Sequence, residues 1–128
     1  MARAGAVGGL MLAVVAVPVA MAQMTPPVSK PNPEALFRNQ CATCHTLNSA
    51  DTQRQGPTLA GVIGRHAGSV PGYRYSPGFS HVDFVWDDAH LDAYLTNPQS
   101  VVPGAVMPYR QAKADVRKSI IAYLKAQR

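Results

Sequence analysis

Apolar residues at helical spacing predict a first helix that ends in a cysteine motif. The pair Asn32-Pro33 combines a capping asparagine with a proline at the first helical position. Leu36, Phe37, Gln40 and Cys41 then fall on or near one face. The first helix therefore leads directly into the cysteine motif that begins at Cys41.

Two further stretches show the same periodicity. Asp87 to Thr96 predicts a second helix, capped by Asp87 or Asp88 and stopped by Asn97-Pro98, with Leu91, Tyr94 and Leu95 facing inward. A final helix is predicted from about Ala114 to the end of the chain, with Val116, Ile120, Tyr123 and Leu124 on its buried face. No convincing strand pair is found, and the pattern predicts an all-α protein.

The N-terminal apolar run has the features of a targeting segment. In residues 1–22, Arg3 precedes an uncharged stretch that ends in Ala20-Met21-Ala22, which is typical of a cleaved secretory signal. An uncleaved membrane anchor is the alternative, because length alone does not exclude a span. We expect one domain at 23–128, with an extended proline-rich arm at 23–32, located in the periplasm.

The connections between the helices are long and rich in glycine and proline. Residues 46–84 and 97–109 are both predicted as loops, and three modest helices would bury little core for 128 residues. A bulky apolar cofactor would supply the missing core. The net charge of +5 is spread over single basic residues with no dense run, so nucleic-acid binding is not expected, and nothing indicates an oligomer.

The motif Cys41-Ala42-Thr43-Cys44-His45 is C-x-x-C-H, the attachment site of c-type haem. Two thiols on one helical turn can each form a thioether with one porphyrin edge, and His45 follows as an axial iron ligand. A thioredoxin-like dithiol would need a βαβ setting, and a zinc site would need two more ligands nearby. A structural disulfide would be cramped at this spacing.

Met107 is the best candidate for the second axial ligand. Three methionines lie in residues 1–22 and Met24 lies in the arm, which leaves Met107 in a loop stiffened by proline and glycine. A thioether is a favoured soft ligand for haem iron. His66, His81 and His90 remain as rival ligands.

With C-x-x-C-H near the start and Pro-Gly-x-x-Met near the end, the chain resembles the class I cytochromes c, in particular the mitochondrial cytochrome c and bacterial cytochrome c2 group. The landmarks cover nearly all of 23–128: Gly56-Pro57-x-Leu59, Gly64-Arg65-x-x-Gly68, Pro71-Gly72-Tyr73-x-Tyr75-Ser76, Trp86, Leu91-x-x-Tyr94-Leu95-x-Asn97-Pro98 and Ile121-Ala122-Tyr123-Leu124. The resemblance implies a small all-α fold of three main helices and long loops around one haem.

The resemblance also implies roles for individual residues. Thioethers form at Cys41 and Cys44, and His45 and Met107 ligate iron. The Pro57 carbonyl accepts a hydrogen bond from the His45 ring, which strengthens that ligand. The inner propionate is held by Arg65, Tyr75 and Trp86, and the Tyr94 hydroxyl approaches the axial sulfur. Phe37 and Tyr123 form the contact between the first and last helices. Tyr109 places an aromatic ring at the haem edge.

The chain departs from its lysine-rich relatives around the expected haem edge. Gln40, Gln99 and Ser100 stand where lysines would ring the edge, and Val106 precedes the ligand, while Ala105 replaces a common threonine. Electrostatic steering of partners should therefore be weaker and the contact more apolar.

The leading hypothesis is a soluble one-electron carrier, not an enzyme, whose iron cycles between Fe(III) and Fe(II). Its expected partners are redox proteins that it docks on transiently at the membrane: a quinol-oxidising complex or periplasmic dehydrogenase as donor, and a terminal oxidase of a respiratory chain or another acceptor. The main competing hypothesis is a haem enzyme or gas sensor in which the Met107 bond is labile or absent. A thiol oxidoreductase without haem is a third hypothesis, and a carrier tethered by residues 1–22 is a fourth.

Overall fold

The structure is a computed structural model that describes residues 1, 5 and 30–127. Four helices lie in this part of the chain: α1 (Pro33–Gln40), α2 (Asp88–Thr96), α3 (Pro98–Val101) and α4 (Ala114–Ala126). The described residues form no strand, and the all-α prediction with three main helices is confirmed.

The helix starts follow the predicted caps. The Asn32 Oδ1 atom accepts hydrogen bonds from the backbone N–H groups of Glu34 (3.0 Å) and Ala35 (3.2 Å), and Pro33 fills the first helical position. In α2 the Asp87 Oδ1 atom accepts from the His90 N–H at 2.7 Å. Both caps occupy N–H groups that have no partner inside the helix, and so fix where each helix begins.

Two short elements lie in regions that the sequence predicted as loops. Pro77–His81 is a 3₁₀ turn, and Pro98 both ends α2 and begins α3. Each element starts with a proline, whose fixed φ suits a first helical turn and whose missing N–H is not needed there. The prediction of uninterrupted loops was wrong at these two places.

The core forms where the terminal helices pack together. The Phe37 and Tyr123 rings, from α1 and α4, are 5.6 Å apart. The buried face of α4 also packs against α2, and Ile120 and Val102 have no exposed surface. The apolar stripe of the last helix is therefore divided between two neighbouring helices.

An isolated antiparallel bridge joins His66 to Val85. The Trp86 N–H donates to the Arg65 carbonyl at 2.9 Å, and the Gly64 N–H donates to the Trp86 carbonyl at 2.8 Å. Two distant parts of the long connection between α1 and α2 are thus hydrogen-bonded to each other, which brings Arg65 beside Trp86.

Apart from residues 1 and 5, the predicted signal at 1–22 lies outside the described residues, as does most of the arm at 23–32. Among the helices that the structure describes, none is long and apolar enough to cross a membrane.

Candidate haem-binding site

A cavity of about 520 Å³ opens between the helices and the long loops. The residues expected to attach the haem, ligate the iron, support His45, hold the propionate or approach the axial sulfur all line it: Cys41, Cys44, His45, Pro57, Arg65, Tyr75, Trp86, Tyr94 and Met107. The rival ligands His66, His81 and His90 are not among the lining residues. The chain therefore brings residues 66 positions apart, from Cys41 to Met107, to one cavity.

The two cysteines are presented by a turn that continues α1. The backbone N–H groups of Cys44 and His45 both donate to the Cys41 carbonyl, at 3.1 and 2.9 Å. Both thiols are free. Burial, and then the neighbouring Cys44, raise the pKa of Cys41 to about 11, so this thiol is protonated at neutral pH.

His45 is held with one ring nitrogen in use and the other available. Its Nδ1 lies 2.8 Å from the Pro57 carbonyl oxygen, which can only accept, so Nδ1 carries the proton. Burial lowers the pKa of His45, although the bond to Pro57 acts in the opposite direction. The ring is therefore neutral at pH 7, with the lone pair on Nε2, which is the state that a metal ligand requires.

Gly56 provides the room for this ring. A Cβ at this position would lie 2.6 Å from His45 Nδ1 and 2.7 Å from Nε2. The Gly56 N–H donates to the Cys44 carbonyl at 2.7 Å, so the glycine backbone is fixed against the motif. The imidazole thus rests directly on backbone, where any side chain would displace it.

Met107 enters the cavity from the loop between α3 and α4. Gly104, at φ 90°, turns the chain before it, and the Ala105 N–H donates to the Val102 carbonyl at 2.9 Å. Met107 itself is half-buried and lines the cavity wall. The structure therefore places a thioether and the His45 imidazole around the same space.

A polar subset of the lining stands out in a mostly apolar wall. The Arg65 guanidinium donates to the Thr58 carbonyl at 2.7 Å and the Ala60 carbonyl at 2.9 Å, and burial lowers its pKa. The Tyr75 hydroxyl accepts from the Val70 N–H at 3.2 Å. Ser76 Oγ is buried and, within the described residues, has no hydrogen-bond partner. A half-buried arginine and an unpartnered hydroxyl that line the same cavity are a suitable environment for a carboxylate.

A row of aromatic rings forms part of the same wall. Trp86 and Tyr94 have ring centroids 5.0 Å apart, and Tyr75 and Phe79 lie 4.9 Å apart. Burial raises the pKa of Tyr94 to about 12, so its hydroxyl is protonated and can donate. Tyr73 continues the row at 4.7 Å from Tyr75.

Sequence reasoning assigned no site role to several lining residues, among them Tyr73, Ser76 and Phe79. The alternation of Tyr73 and Tyr75 was a usable signal, since residues two apart in extended chain share a side. Nothing comparable marks Phe79, which reaches the cavity because the 3₁₀ turn carries it there.

The residues present fit a covalently held haem. The cavity volume lies in the range of about 300–1,000 Å³ for cofactor sites. Its lining supplies two thiols for thioethers, an imidazole and a thioether sulfur for iron, and Arg65 with Ser76 for propionates. An apolar wall with these few polar groups matches an apolar ring that carries acidic side arms.

Comparison with known proteins gives consistent matches along most of the chain. The family model described as Cytochrome c matches residues 32–128. The chain is similar to "Cytochrome c" of Sesamum indicum, at 38% identity over 101 residues, covering 78% of this chain and 91% of that protein. It is also similar to "Cytochrome c" of Theileria annulata, at 43% identity over 91 residues, covering 70% and 78% of the two chains.

Proposed function

The chain belongs to the cytochrome c family of haem-based electron carriers, and from that membership we propose that it is a soluble periplasmic one-electron carrier without enzymatic activity. Members of this family bind haem c covalently, and Cys41 and Cys44 are the two cysteines of this chain. The observation that carries the proposal is that His45 and Met107 line one cavity. Two protein ligands leave no iron position open to a substrate.

Each group of lining residues has a separate task in this function. Cys41 and Cys44 would hold the haem by thioethers, and His45 Nε2 and the Met107 sulfur would ligate the iron. When bound, the haem supplies the Fe(III)/Fe(II) couple. The Pro57 carbonyl fixes the plane of the His45 ring and increases its basicity through the bond at 2.8 Å.

The rest of the wall controls water and charge. Leu91, Leu95 and Leu124 line the cavity with apolar surface, which excludes water and disfavours the state of higher charge. Arg65 brings one positive charge into this wall, where it can offset a buried carboxylate. The carrier role requires only that these groups keep their places while the electron enters and leaves.

The N-terminal sequence supports export. Residues 1–22 carry the charge, apolar and small-residue regions of a secretory signal. Expression in a bacterium that attaches haem, followed by N-terminal sequencing of the periplasmic fraction, should give a chain that begins at Gln23. A red protein that keeps residues 1–22 and stays in the membrane fraction would replace the soluble carrier with a tethered one.

The surface beside Met107 supports an apolar docking contact with redox partners. Val106 is 79% exposed and also lines the cavity, while the neighbouring Gln40 and Gln99 are uncharged. We propose a quinol-oxidising complex or periplasmic dehydrogenase as donor and a terminal oxidase or similar protein as acceptor. Association rates with such a partner should change little between low and high salt, because charge steering is weak. A steep fall with salt would contradict this proposal.

The visible spectrum of the purified protein tests ligation and function together. The oxidised form should show the weak red charge-transfer band of iron–thioether bonding, and carbon monoxide should leave the spectrum of the reduced form unchanged. A spectrum without that band that shifts on adding the gas would show an open iron. The haem enzyme or gas sensor would then be the better assignment.

A further inference from the structure

Three side chains form a hydrogen-bonded cluster at the edge of the cavity. The Tyr109 hydroxyl donates to the Gln40 Oε1 atom. The Gln111 Nε2 group donates to the same Gln40 oxygen at 3.3 Å and to the Tyr109 hydroxyl at 3.3 Å. Gln40 is the last residue of α1, next to Cys41, whereas Tyr109 is two residues after Met107. The cluster therefore joins the two sides of the cavity that carry the thiols and the thioether.

The backbone around Met107 has few other attachments. Within the described residues, Val106–Tyr109 make no hydrogen bond through their backbone. Before this stretch, Gln99 holds the loop by donating from Nε2 to the Ala105 carbonyl and accepting from the Gly104 N–H. Met107 thus lies in a short span, Val106–Tyr109, whose backbone is held by hydrogen bonds of the residues before and after it.

After this span the chain is anchored firmly. The Gln111 N–H donates to the Leu95 carbonyl of α2 at 2.8 Å, and the Gln111 carbonyl accepts from Arg117 Nη1 of α4 at 2.9 Å. Tyr109 lies between Met107 and this anchor, so its hydroxyl makes the first hydrogen bond to the body of the protein after the ligand. The side chain is half-buried, and its hydroxyl points to Gln40 Oε1, an oxygen that can only accept.

We propose that Tyr109 and Gln40 are positioning residues for Met107: their hydrogen bond holds the Met107 span across the mouth of the cavity and limits the entry of small ligands. The inference rests on the proposed function, because it assigns a task only if Met107 ligates iron. The aromatic ring alone would fill space at this edge, whereas the hydroxyl ties the span to α1.

The test compares ligand entry in matched tyrosine variants. Tyr109→Phe removes the hydroxyl that bonds to Gln40. Tyr123→Phe, the control, removes a hydroxyl that has no hydrogen-bond partner among the described residues. The probe is imidazole, added to the oxidised holoprotein, and the measured quantities are its rate of binding and the loss of the red iron–thioether band. Thermal unfolding of each variant is followed separately.

The lost hydrogen bond sets the expected size of the effect. Tyr109→Phe should bind imidazole about fivefold faster than the unchanged protein, as expected for the loss of one net hydrogen bond. Gln40→Glu, which keeps an acceptor oxygen, should stay close to the unchanged rate, and Gln40→Ala should resemble Tyr109→Phe. The effect of the double variant Gln40→Ala/Tyr109→Phe should be smaller than the product of the two single effects, because both single variants remove the bond between Tyr109 and Gln40.

The outcomes separate this inference from the function on which it rests. If the red band is present and Tyr109→Phe binds imidazole at the rate of Tyr123→Phe, the positioning role is wrong and the carrier function stands. The positioning role would also be wrong if the rate increase in the double variant equalled the product of the increases in Gln40→Ala and Tyr109→Phe. If the unchanged protein lacks the red band, Met107 is not a ligand and both proposals are wrong.

Discussion

Replacing Gly56 with alanine gives the sharpest test of how the chain holds its histidine. The new Cβ would lie 2.6 Å from His45 Nδ1 and closer still to Cε1, whereas ordinary contact begins at 3.4 Å, so the Cβ and the ring must separate by at least about 0.8 Å. The glycine backbone is tied to Cys44 at 2.7 Å, so the ring is the part that moves. A displacement of that size away from Pro57 would lengthen the bond at 2.8 Å beyond hydrogen-bonding range.

The expected cost combines two effects. Overpacking a filled site costs about 1–3 kcal/mol, and the lost hydrogen bond to Pro57 adds about 1 kcal/mol. For a domain of this size the sum corresponds to a fall in Tm of roughly 10–30 °C. The fall in Tm is measured by thermal unfolding of the holoprotein, monitored by circular dichroism.

A second glycine supplies the control. Gly61 has φ 61°, and a Cβ there would meet nothing within 4 Å. Gly61→Ala therefore carries backbone strain of about 1–2 kcal/mol but no clash with the imidazole. If Gly56→Ala unfolds no earlier than Gly61→Ala, the ring does not rest against Gly56 and the reasoning fails.

Three more contacts can be tested by substitution. Gly78→Ala would place a Cβ against the Pro103 carbonyl and 3.2 Å from Gly104 C, so it should shift the loop before Met107 and weaken the red iron–thioether band; an unchanged band would refute this. The hydrogen bond from Arg117 lowers the pKa of Asp92, so their ion pair stabilises the fold above the ordinary carboxyl pKa and loses that effect as the pH falls below about 4. The urea midpoint of Asp92→Asn should accordingly lie below that of the unchanged protein at pH 7, and the two midpoints should converge in acid. Finally, Cys41→Ala/Cys44→Ala should yield a chain with little helical circular dichroism, and a native-like spectrum would contradict the need for a covalently held cofactor.

Local rules predicted the parts of the fold that depend on neighbouring residues. Asn32 and Asp87 cap helices because a side-chain oxygen lies within three residues of free N–H groups. The C-x-x-C-H motif was equally predictable, because its three functional residues lie within five consecutive positions. The short helix at Pro98 escaped prediction because Asn97-Pro98 is a stop signal for α2 and also the start of α3, and the local pattern shows only the stop.

The parts of the site that escaped prediction depend on contacts between distant residues. His45 and Pro57 are 12 positions apart, and only the family resemblance suggested their bond, which the structure places at 2.8 Å. Gln40 and Tyr109 are 69 positions apart, and no periodicity in either segment indicates that they meet. Such pairs follow from the path of the whole chain around the cavity, which a local pattern does not encode.

The cavity explains why helices this short can hold so many loops in place. Its lining includes Val62, Leu91, Ile120 and Leu124, which also belong to the apolar core, so the core and the cavity wall share the same side chains. Without a bound group, the apolar part of this wall would face water across a cavity of about 520 Å³, which is unfavourable for apolar surface. A bound apolar group therefore completes the hydrophobic core of this chain, and the residues that attach it are also residues that stabilise the fold.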